Sequence, residues 1–119
     1  MKRILLCLMV ALFATGCLFA KNNDEKMNVM SYNIRYDNSG DKDNQWKFRR
    51  DFAADLVKFH EADVFGAQEV LNNQLNDLLD RLPEYAYVGV GREDGKTKGE
   101  YTPIFYRKDR FSVEKSGNF

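Results

Sequence analysis

The sequence predicts a small α/β domain in which a mixed sheet carries two helices. Three observations predict this class. Short apolar runs that alternate with polar residues are separated by two longer segments with helical periodicity. The last predicted strands are joined by a loop rather than a helix, which favours antiparallel pairing at that end of the sheet. The chain has 119 residues, 44% hydrophobic and 13% aromatic, which is enough for one packed core.

The first 20 residues have the pattern of an export signal. Lys2 and Arg3 precede an uncharged apolar run at residues 4–14, which is too short to span a bilayer. A buried core helix is the alternative, but the basic flank and the extreme N-terminal position favour export. We therefore expect an exported protein, located in the periplasm, in the outer membrane or outside the cell.

Two cleavage sites fit this signal. The sequence Ala-Thr-Gly-Cys at residues 14–17 resembles a bacterial lipoprotein box, which would make Cys17 the lipidated first residue of the mature protein. Cleavage after Ala20 by an ordinary signal peptidase is the alternative. Residues 21–26 are polar and predict a short tether. Both cysteines, Cys7 and Cys17, precede the domain, so we expect no disulfide within it and contact with a membrane only through a lipid anchor.

The charge balance does not point to a nucleic-acid-binding surface. Lys and Arg number 18, as do Asp and Glu, and no basic stripe is visible. Nucleic acid stays open as a substrate. No feature of the sequence indicates an obligate protein partner.

The first strand is predicted at residues 28–34, with Val29, Ser31 and Asn33 on one face. A loop rich in Asp, Asn, Ser and Gly follows at residues 37–45. Residues 46–61 are predicted to be helical. The expected buried face of this helix comprises Phe52, Ala53, Leu56, Val57 and His60.

The second half of the chain repeats the alternation of strand and helix. Residues 63–68 form a short apolar strand, as expected for the centre of a sheet. A helix at residues 71–82 carries a leucine stripe and is stopped by Pro83. A charged loop is predicted at residues 91–100. Further strands are predicted at residues 85–90, 102–107 and 111–114.

Polar side chains end the first two strands. These strands are joined through a helix and are therefore expected to be parallel, so Asn33 and Glu69 should lie on the same rim of the sheet. Ligands of open α/β sheets bind at that rim. An amide and a carboxylate suit Mg²⁺, which prefers oxygen ligands and keeps several waters. An Asn at a strand end is also a common turn residue and a Glu there is commonly solvated, so the two residues alone leave both interpretations open.

Two motifs strengthen the metal-site interpretation. Met-Ser-Tyr-Asn-Ile-Arg at residues 30–35 and Asp-Val-Phe-Gly-Ala-Gln-Glu-Val at residues 63–70 resemble the first two motifs of the endonuclease/exonuclease/phosphatase superfamily. Trp46 with Arg49 or Arg50 resembles the first helix of that superfamily, and the stretches at residues 89–95 and 104–107 resemble later parts. The group includes DNase-I-like nucleases, inositol-polyphosphate phosphatases and neutral sphingomyelinases. The resemblance covers residues 27–119 and implies the N-terminal half of a DNase-I-like α/β sandwich.

This resemblance implies a metal-dependent phosphoesterase or phosphodiesterase. Asn33 and Glu69 would be catalytic residues at the metal site, with Glu69 the direct ligand of Mg²⁺ and with Mn²⁺ as an alternative ion. A water would attack the phosphate ester in line. Arg92, in the charged loop, is a candidate phosphate contact, although a solvated loop residue is the alternative. The type of phosphate ester is not specified by these residues.

The sequence departs from the superfamily pattern in its later motifs. Members carry an Asp-x-Asn and a Ser-Asp-His segment that are missing from these 119 residues, and His60 is the only histidine. We expect His60 to be a packing or helix-end residue. We also expect this chain alone to be inactive and to leave one apolar face of its sheet uncovered. The alternative is a non-catalytic product, either a truncated relic or a surface-tethered binding domain.

Overall fold

A computed structural model describes residues 26–118, and these form a four-stranded mixed sheet with two helices. The predicted α/β class is confirmed. The expected signal peptide and the lipidation candidate Cys17 lie outside the described residues, as does nearly all of the tether. Within residues 26–118, no helix is long and apolar enough to cross a membrane. The elements are β1 (Val29–Asn33), α1 (Trp46–Phe59), β2 (Val64–Gln68), α2 (Asn72–Arg81), β3 (Tyr85–Val88) and β4 (Ile104–Arg107).

The strands lie in the order β1-β2-β4-β3. β1 pairs with β2 in parallel, from Val29 opposite Val64 to Asn33 opposite Gln68. β4 pairs antiparallel with β2 on one side and with β3 on the other. The predicted parallel pairing of the first two strands is therefore confirmed, and so is the antiparallel pairing of the later ones.

The two faces of the sheet differ in their burial. Phe65, Ala67 and Phe105 lie on the face that packs against the helices and are 0% exposed. Phe65 and Phe105 stack with their ring centroids 4.5 Å apart. On the opposite face, Val29 is 65% exposed and Ile104 is 49% exposed. Among residues 26–118, no element therefore covers this apolar face of the sheet, in agreement with the expectation from the sequence.

The buried face of α1 differs from the predicted one. Phe52 is 68% exposed and His60 is also exposed, so both were wrongly placed in the core. The buried residues of the helix are Trp46, Ala53, Ala54 and Val57. The indole nitrogen of Trp46 donates to Asp77 Oδ2 of α2 at 2.7 Å, and this contact rotates α1 so that its small alanines, rather than Phe52, face the neighbouring elements.

Two further differences concern the irregular segments. The predicted strand at residues 111–114 is wrong, because these residues pair with no strand of the sheet. The chain instead turns after β4, and the N–H groups of Arg110 and Phe111 donate to Arg107 O. The predicted loop after β1 contains short 3-10 turns at Ser39–Asn44.

Candidate metal centre

The carboxyl ends of β1 and β2 bring the two predicted site residues into contact. Asn33 is the last residue of β1 and pairs with Gln68, the last residue of β2. Ile34 N–H then donates to Gln68 O at 3.2 Å, which extends the pairing by one step. Glu69 follows at once, and the side-chain nitrogen of Asn33 donates to Glu69 Oε1 at 2.8 Å. The parallel pairing thus joins residues that are 36 positions apart in the chain.

The orientation of the Asn33 amide distinguishes the roles of the two residues. Its oxygen accepts the backbone N–H of Arg35 at 2.8 Å, while its nitrogen faces the carboxylate. The amide oxygen is therefore engaged in the turn after β1. In this arrangement Asn33 orients Glu69, and the carboxylate is the group available to a cation.

Glu69 is held as a carboxylate by two donors. Besides Asn33, the backbone N–H of Tyr36 donates to Glu69 Oε2 at 3.2 Å. The hydrogen bond from Asn33 and the one from Tyr36 hold the pKa of Glu69 below its ordinary value, since both stabilise the charged form. The carboxylate is thus ionised at neutral pH and sits at an open rim.

This donor set fits a sparsely coordinated hard cation. Among residues 26–118, no group of three or more His, Cys, Asp or Glu side chains is placed to hold a metal. A closed structural site of the zinc type would need such a group. Mg²⁺ binds through one or two carboxylates and keeps water and substrate phosphate as its other ligands, which is what a single oriented carboxylate at a rim can support.

Both strand ends adopt an unusual backbone conformation. Arg35 has φ +57° and Glu69 has φ +59°, in the left-handed region that residues with a Cβ seldom occupy. Such positions persist where the surrounding contacts hold them, and they are common at functional sites. Arg35 is held by a two-pronged ion pair with Asp41, in which both N–O distances are 2.6 Å. This hydrogen-bonded pairing raises the pKa of Arg35 and lowers that of Asp41.

Arg49 supports the turn after β1 from α1. Its guanidinium donates to the carbonyl oxygens of Ile34 at 2.7 Å and Arg35 at 3.2 Å, and to that of Asn44 at 2.6 Å. The sequence left Arg49 and Arg50 as alternatives for this helix. The structure places Arg49 against the site turn, whereas Arg50 lies 3.4 Å from Asp77 Oδ1 of α2.

Gln74 was not identified from the sequence. It is the third residue of α2, is 0% exposed, and hydrogen-bonds to backbone groups of both site loops. The one available signal was a glutamine three positions after the residue that starts the helix, a spacing typical of a capping side chain. That spacing does not reveal a contact with the loop after β1.

Arg92 lies at the base of the charged loop. Its backbone N–H donates to Glu100 O at 3.1 Å, and its guanidinium is 3.4 Å from the Glu100 carboxylate. The neighbouring Tyr101 pairs with Val70, which follows Glu69, so the base of the loop adjoins the site. The Arg92 side chain is 68% exposed, and a phosphate contact stays a prediction.

His60 lies at the C-terminal end of α1 and packs edge-on against Phe59.

The described fold matches solved structures. No protein-family model and no curated protein sequence matches this chain. An endonuclease/exonuclease/phosphatase from Bacteroides vulgatus is 54% identical, with a TM-score of 0.70, over 71% of this chain and 33% of that one. A family protein from Bacteroides thetaiotaomicron is 44% identical, with a TM-score of 0.74, over 76% and 34% of the two chains.

A mannosyl-6-phosphatase from Bacteroides thetaiotaomicron is also 44% identical, with a TM-score of 0.75, over 77% of this chain and 35% of that one. The chain thus spans about a third of the length of these structures. Identities of this size over most of the chain go beyond a shared fold. Over about three quarters of its length the chain is thus similar to proteins of the endonuclease/exonuclease/phosphatase family, a family of phosphoesterase-type hydrolases that generally use divalent metals.

Proposed function

We propose that this protein is a metal-dependent phosphoric-ester hydrolase in which Glu69 binds the metal and Asn33 orients Glu69. The contact between Asn33 Nδ2 and Glu69 Oε1, 2.8 Å long at the ends of two parallel strands, carries the proposal. Similarity to the endonuclease/exonuclease/phosphatase proteins supports the reaction class. The bound ion is Mg²⁺, with Mn²⁺ as a working substitute, because the donor is a single oxygen ligand of the hard type.

Each protein group has a defined part in this proposal. A divalent ion at Glu69 would polarise a phosphoryl oxygen and offset the charge that develops in the transition state. The Asn33 amide and the Tyr36 N–H fix the rotation of the carboxylate, so that it faces the open rim. Arg92, at the base of the neighbouring loop, would meet a phosphate oxygen if its guanidinium left the Glu100 carboxylate.

A sugar phosphate is the substrate class that we propose first. The relative named a mannosyl-6-phosphatase supports this choice. A nucleic acid is the weaker alternative, because the sequence contains no basic stripe to neutralise a phosphate backbone. We further propose that the protein is exported and anchored through Cys17. The intact mass of the mature protein distinguishes a lipidated Cys17 from cleavage after Ala20.

Metal binding by the 119-residue chain tests the proposed function. Free Mn²⁺ is followed by electron paramagnetic resonance during titration with the wild type, with Glu69→Gln and with Glu84→Gln. Glu84 is an exposed carboxylate before β3 and serves as the matched control. We expect one Mn²⁺ that Mg²⁺ displaces, lost in Glu69→Gln and kept in Glu84→Gln. Binding that survives in Glu69→Gln would contradict the proposal.

Hydrolysis assays separate an active enzyme from a non-catalytic product. We expect the 119-residue chain to bind metal but not to turn over mannose 6-phosphate or a generic phosphodiester, because its sequence contains no Ser-Asp-His segment. Turnover that disappears in Glu69→Gln would show that the chain needs no such segment. A folded chain that binds no metal would favour the alternative of a relic or a tethered binding domain.

A further inference from the structure

The buried side chain of Gln74 connects the two loops that carry Asn33 and Glu69. Gln74 is 0% exposed, and a buried amide is costly unless its donor and acceptor groups are satisfied. Its oxygen accepts the backbone N–H groups of Leu71 and Asp37, both at 3.1 Å. Its nitrogen donates to the carbonyl oxygen of Arg35 at 2.9 Å. Every one of these partners is a backbone group of a loop at the carboxyl end of β1 or β2.

Helix capping accounts for only one of these three contacts. A glutamine at the third helical position commonly accepts the N–H of the residue that starts the helix, here Leu71. The other two contacts cross to the loop after β1, 37 and 39 residues away in sequence. A residue that only capped α2 would need neither of them.

The direction of the amide is fixed by its partners. Two backbone N–H groups require an acceptor at the oxygen position, and the Arg35 carbonyl requires a donor at the nitrogen position. Exchange of the two amide atoms would place donor against donor and acceptor against acceptor. Gln74 therefore holds Arg35 and Asp37 in one specific arrangement.

The two contacts across the loops lie on either side of a group that binds Glu69. Arg35 and Asp37 flank Tyr36, whose N–H donates to Glu69 Oε2. The Arg35 N–H in turn donates to the Asn33 side-chain oxygen and so fixes the direction of the Asn33 amide. Arg35 O receives a second donor from Arg49 at 3.2 Å, so Gln74 acts on a turn that α1 also supports.

We propose that Gln74 is a positioning residue that sets the Asn33–Glu69 pair by joining residues 35–37 to the start of α2. It touches neither Glu69 nor Asn33 and acts through the backbone of the turn between them. The consequence for metal affinity rests on the proposed function. The consequence for the geometry of the pair does not, because it can be observed in the metal-free protein.

The first experiment uses metal-free protein and nuclear magnetic resonance. The Asn33 side-chain amide and the Tyr36 backbone amide both donate to Glu69. The proton chemical shifts of these two amides therefore show whether the hydrogen bonds to Glu69 are intact. We expect Gln74→Met, which keeps the length but no amide, to move both signals towards their positions in Glu69→Ala. Leu78→Ala is the control, because Leu78 is 0% exposed one turn further along α2 and its loss weakens packing alone. It should leave both signals in place.

The second experiment measures the Mn²⁺ dissociation constant of the same proteins, well below their unfolding temperatures. Residues that support a metal ligand typically change affinity about 10-fold to 100-fold. We expect a rise of about 10-fold in Gln74→Met and no change in Leu78→Ala. Gln74→Glu keeps the contacts with the N–H groups of Leu71 and Asp37 but sets an oxygen against Arg35 O, so it should also weaken Mn²⁺ binding.

The outcomes separate this inference from the proposed function. Wild-type shifts of Asn33 and Tyr36 in both Gln74 variants would overturn the inference, and metal binding at Glu69 would be unaffected by that result. If Gln74→Met does not fold, the shifts in Gln74→Glu decide. A wild type that binds no Mn²⁺ but shows altered shifts in the Gln74 variants would overturn the proposed function and support the positioning role.

Discussion

Two residues at the site have backbone conformations that are unfavourable for residues with a Cβ. Glu69, directly after β2, has φ +59° and Arg35, two residues after β1, has φ +57°, both in the left-handed region. A Cβ in that region costs roughly 1–2 kcal/mol relative to the right-handed conformation. The sharp bend at Glu69 turns its side chain towards Asn33. The geometry of the site therefore lowers the free energy of unfolding.

Comparison of two substitutions at Glu69 isolates this backbone cost. Both Glu69→Ala and Glu69→Gly remove the hydrogen bonds to Asn33 and Tyr36. Only glycine relieves the left-handed strain, so we expect Glu69→Gly to be about 1 kcal/mol more stable than Glu69→Ala in urea unfolding. Equal stability of the two variants would show that Glu69 is not strained.

Asp63 makes stability depend on pH at the other end of β2. It is 3% exposed, accepts the N–H of Asn28 at 2.8 Å and pairs with Arg110. The bond from Asn28, followed by the contact with Arg110, lowers the pKa of Asp63 below its ordinary value of 3.8. Because the unfolded chain takes up this proton first, the stabilisation is complete above pH 3.8 and is lost as pH falls through the lowered pKa.

Substitution of Asp63 tests this dependence. We expect Asp63→Asn to lower the free energy of unfolding at pH 7 by roughly 1.5–3 kcal/mol, the usual contribution of a charged hydrogen bond. The difference between wild type and variant should shrink as the pH falls below about 3.8, as measured by urea unfolding at several pH values. A difference that does not change with pH would assign the stability to packing instead.

The sequence allowed some site residues to be predicted and not others, for a physical reason. Asn33 and Glu69 each end an apolar strand, and a helical crossover makes those strands parallel, so their proximity follows from local patterns. Gln74 and Arg49 act on backbone carbonyls and N–H groups of a loop that has no periodicity. Which side chain reaches such a loop depends on how the helices pack, and a pattern along one helix does not contain that information.

At the scale of elements, α1 shows where periodicity is ambiguous. Both of its faces carry apolar residues, and the predicted face included Phe52 because Phe52 fits the helical spacing of Ala53, Leu56 and Val57. The structure instead buries the face that presents Trp46 and two alanines to the neighbouring elements. The hydrogen bond from Trp46 to Asp77 of α2 selects between the two faces, and it joins residues 31 positions apart.

Two substitutions in α1 check this assignment. Phe52 is 68% exposed, so Phe52→Gln should change the free energy of unfolding by less than about 0.5 kcal/mol. Val57 is 0% exposed, and loss of its two methyl groups in Val57→Ala should cost about 2 kcal/mol, including the cavity. Urea unfolding of both variants measures the difference. A larger effect at Phe52 than at Val57 would return Phe52 to the core, where the sequence analysis placed it.

At the scale of the whole described fold, residues 26–118, the outer face of the sheet carries rows of apolar side chains. The register places Val29, Val64, Tyr106 and Ala86 in one row across the four strands, with Ile104 and Val88 in the next row on the same face. Exposed apolar rows of this kind commonly mark surfaces that another layer covers. In residues 26–118 the hydrophobic core is therefore a single layer between the sheet and its helices.

A hydrophobic dye measures this exposure. We expect the chain to bind anilinonaphthalene sulfonate, and the double variant Val29→Thr/Ile104→Thr to bind less of it without a lower unfolding temperature. Phe59→Thr is the matched control, since Phe59 is 80% exposed but lies on α1. Dye fluorescence that falls in Phe59→Thr and not in the double variant would place the binding surface on the helix.

The strand order also has a consequence for how the chain assembles as it is synthesised. The pairing of β1 with β2 and the contacts of Arg49 and Gln74 with the turn after β1 all lie within residues 28–81. Chains are made from the N-terminus and fold as segments emerge. The Asn33–Glu69 pair can therefore form while β4 is still being translated. Since β4 lies between β2 and β3, a nascent chain that has formed this pair keeps one edge of β2 open until the later strand arrives.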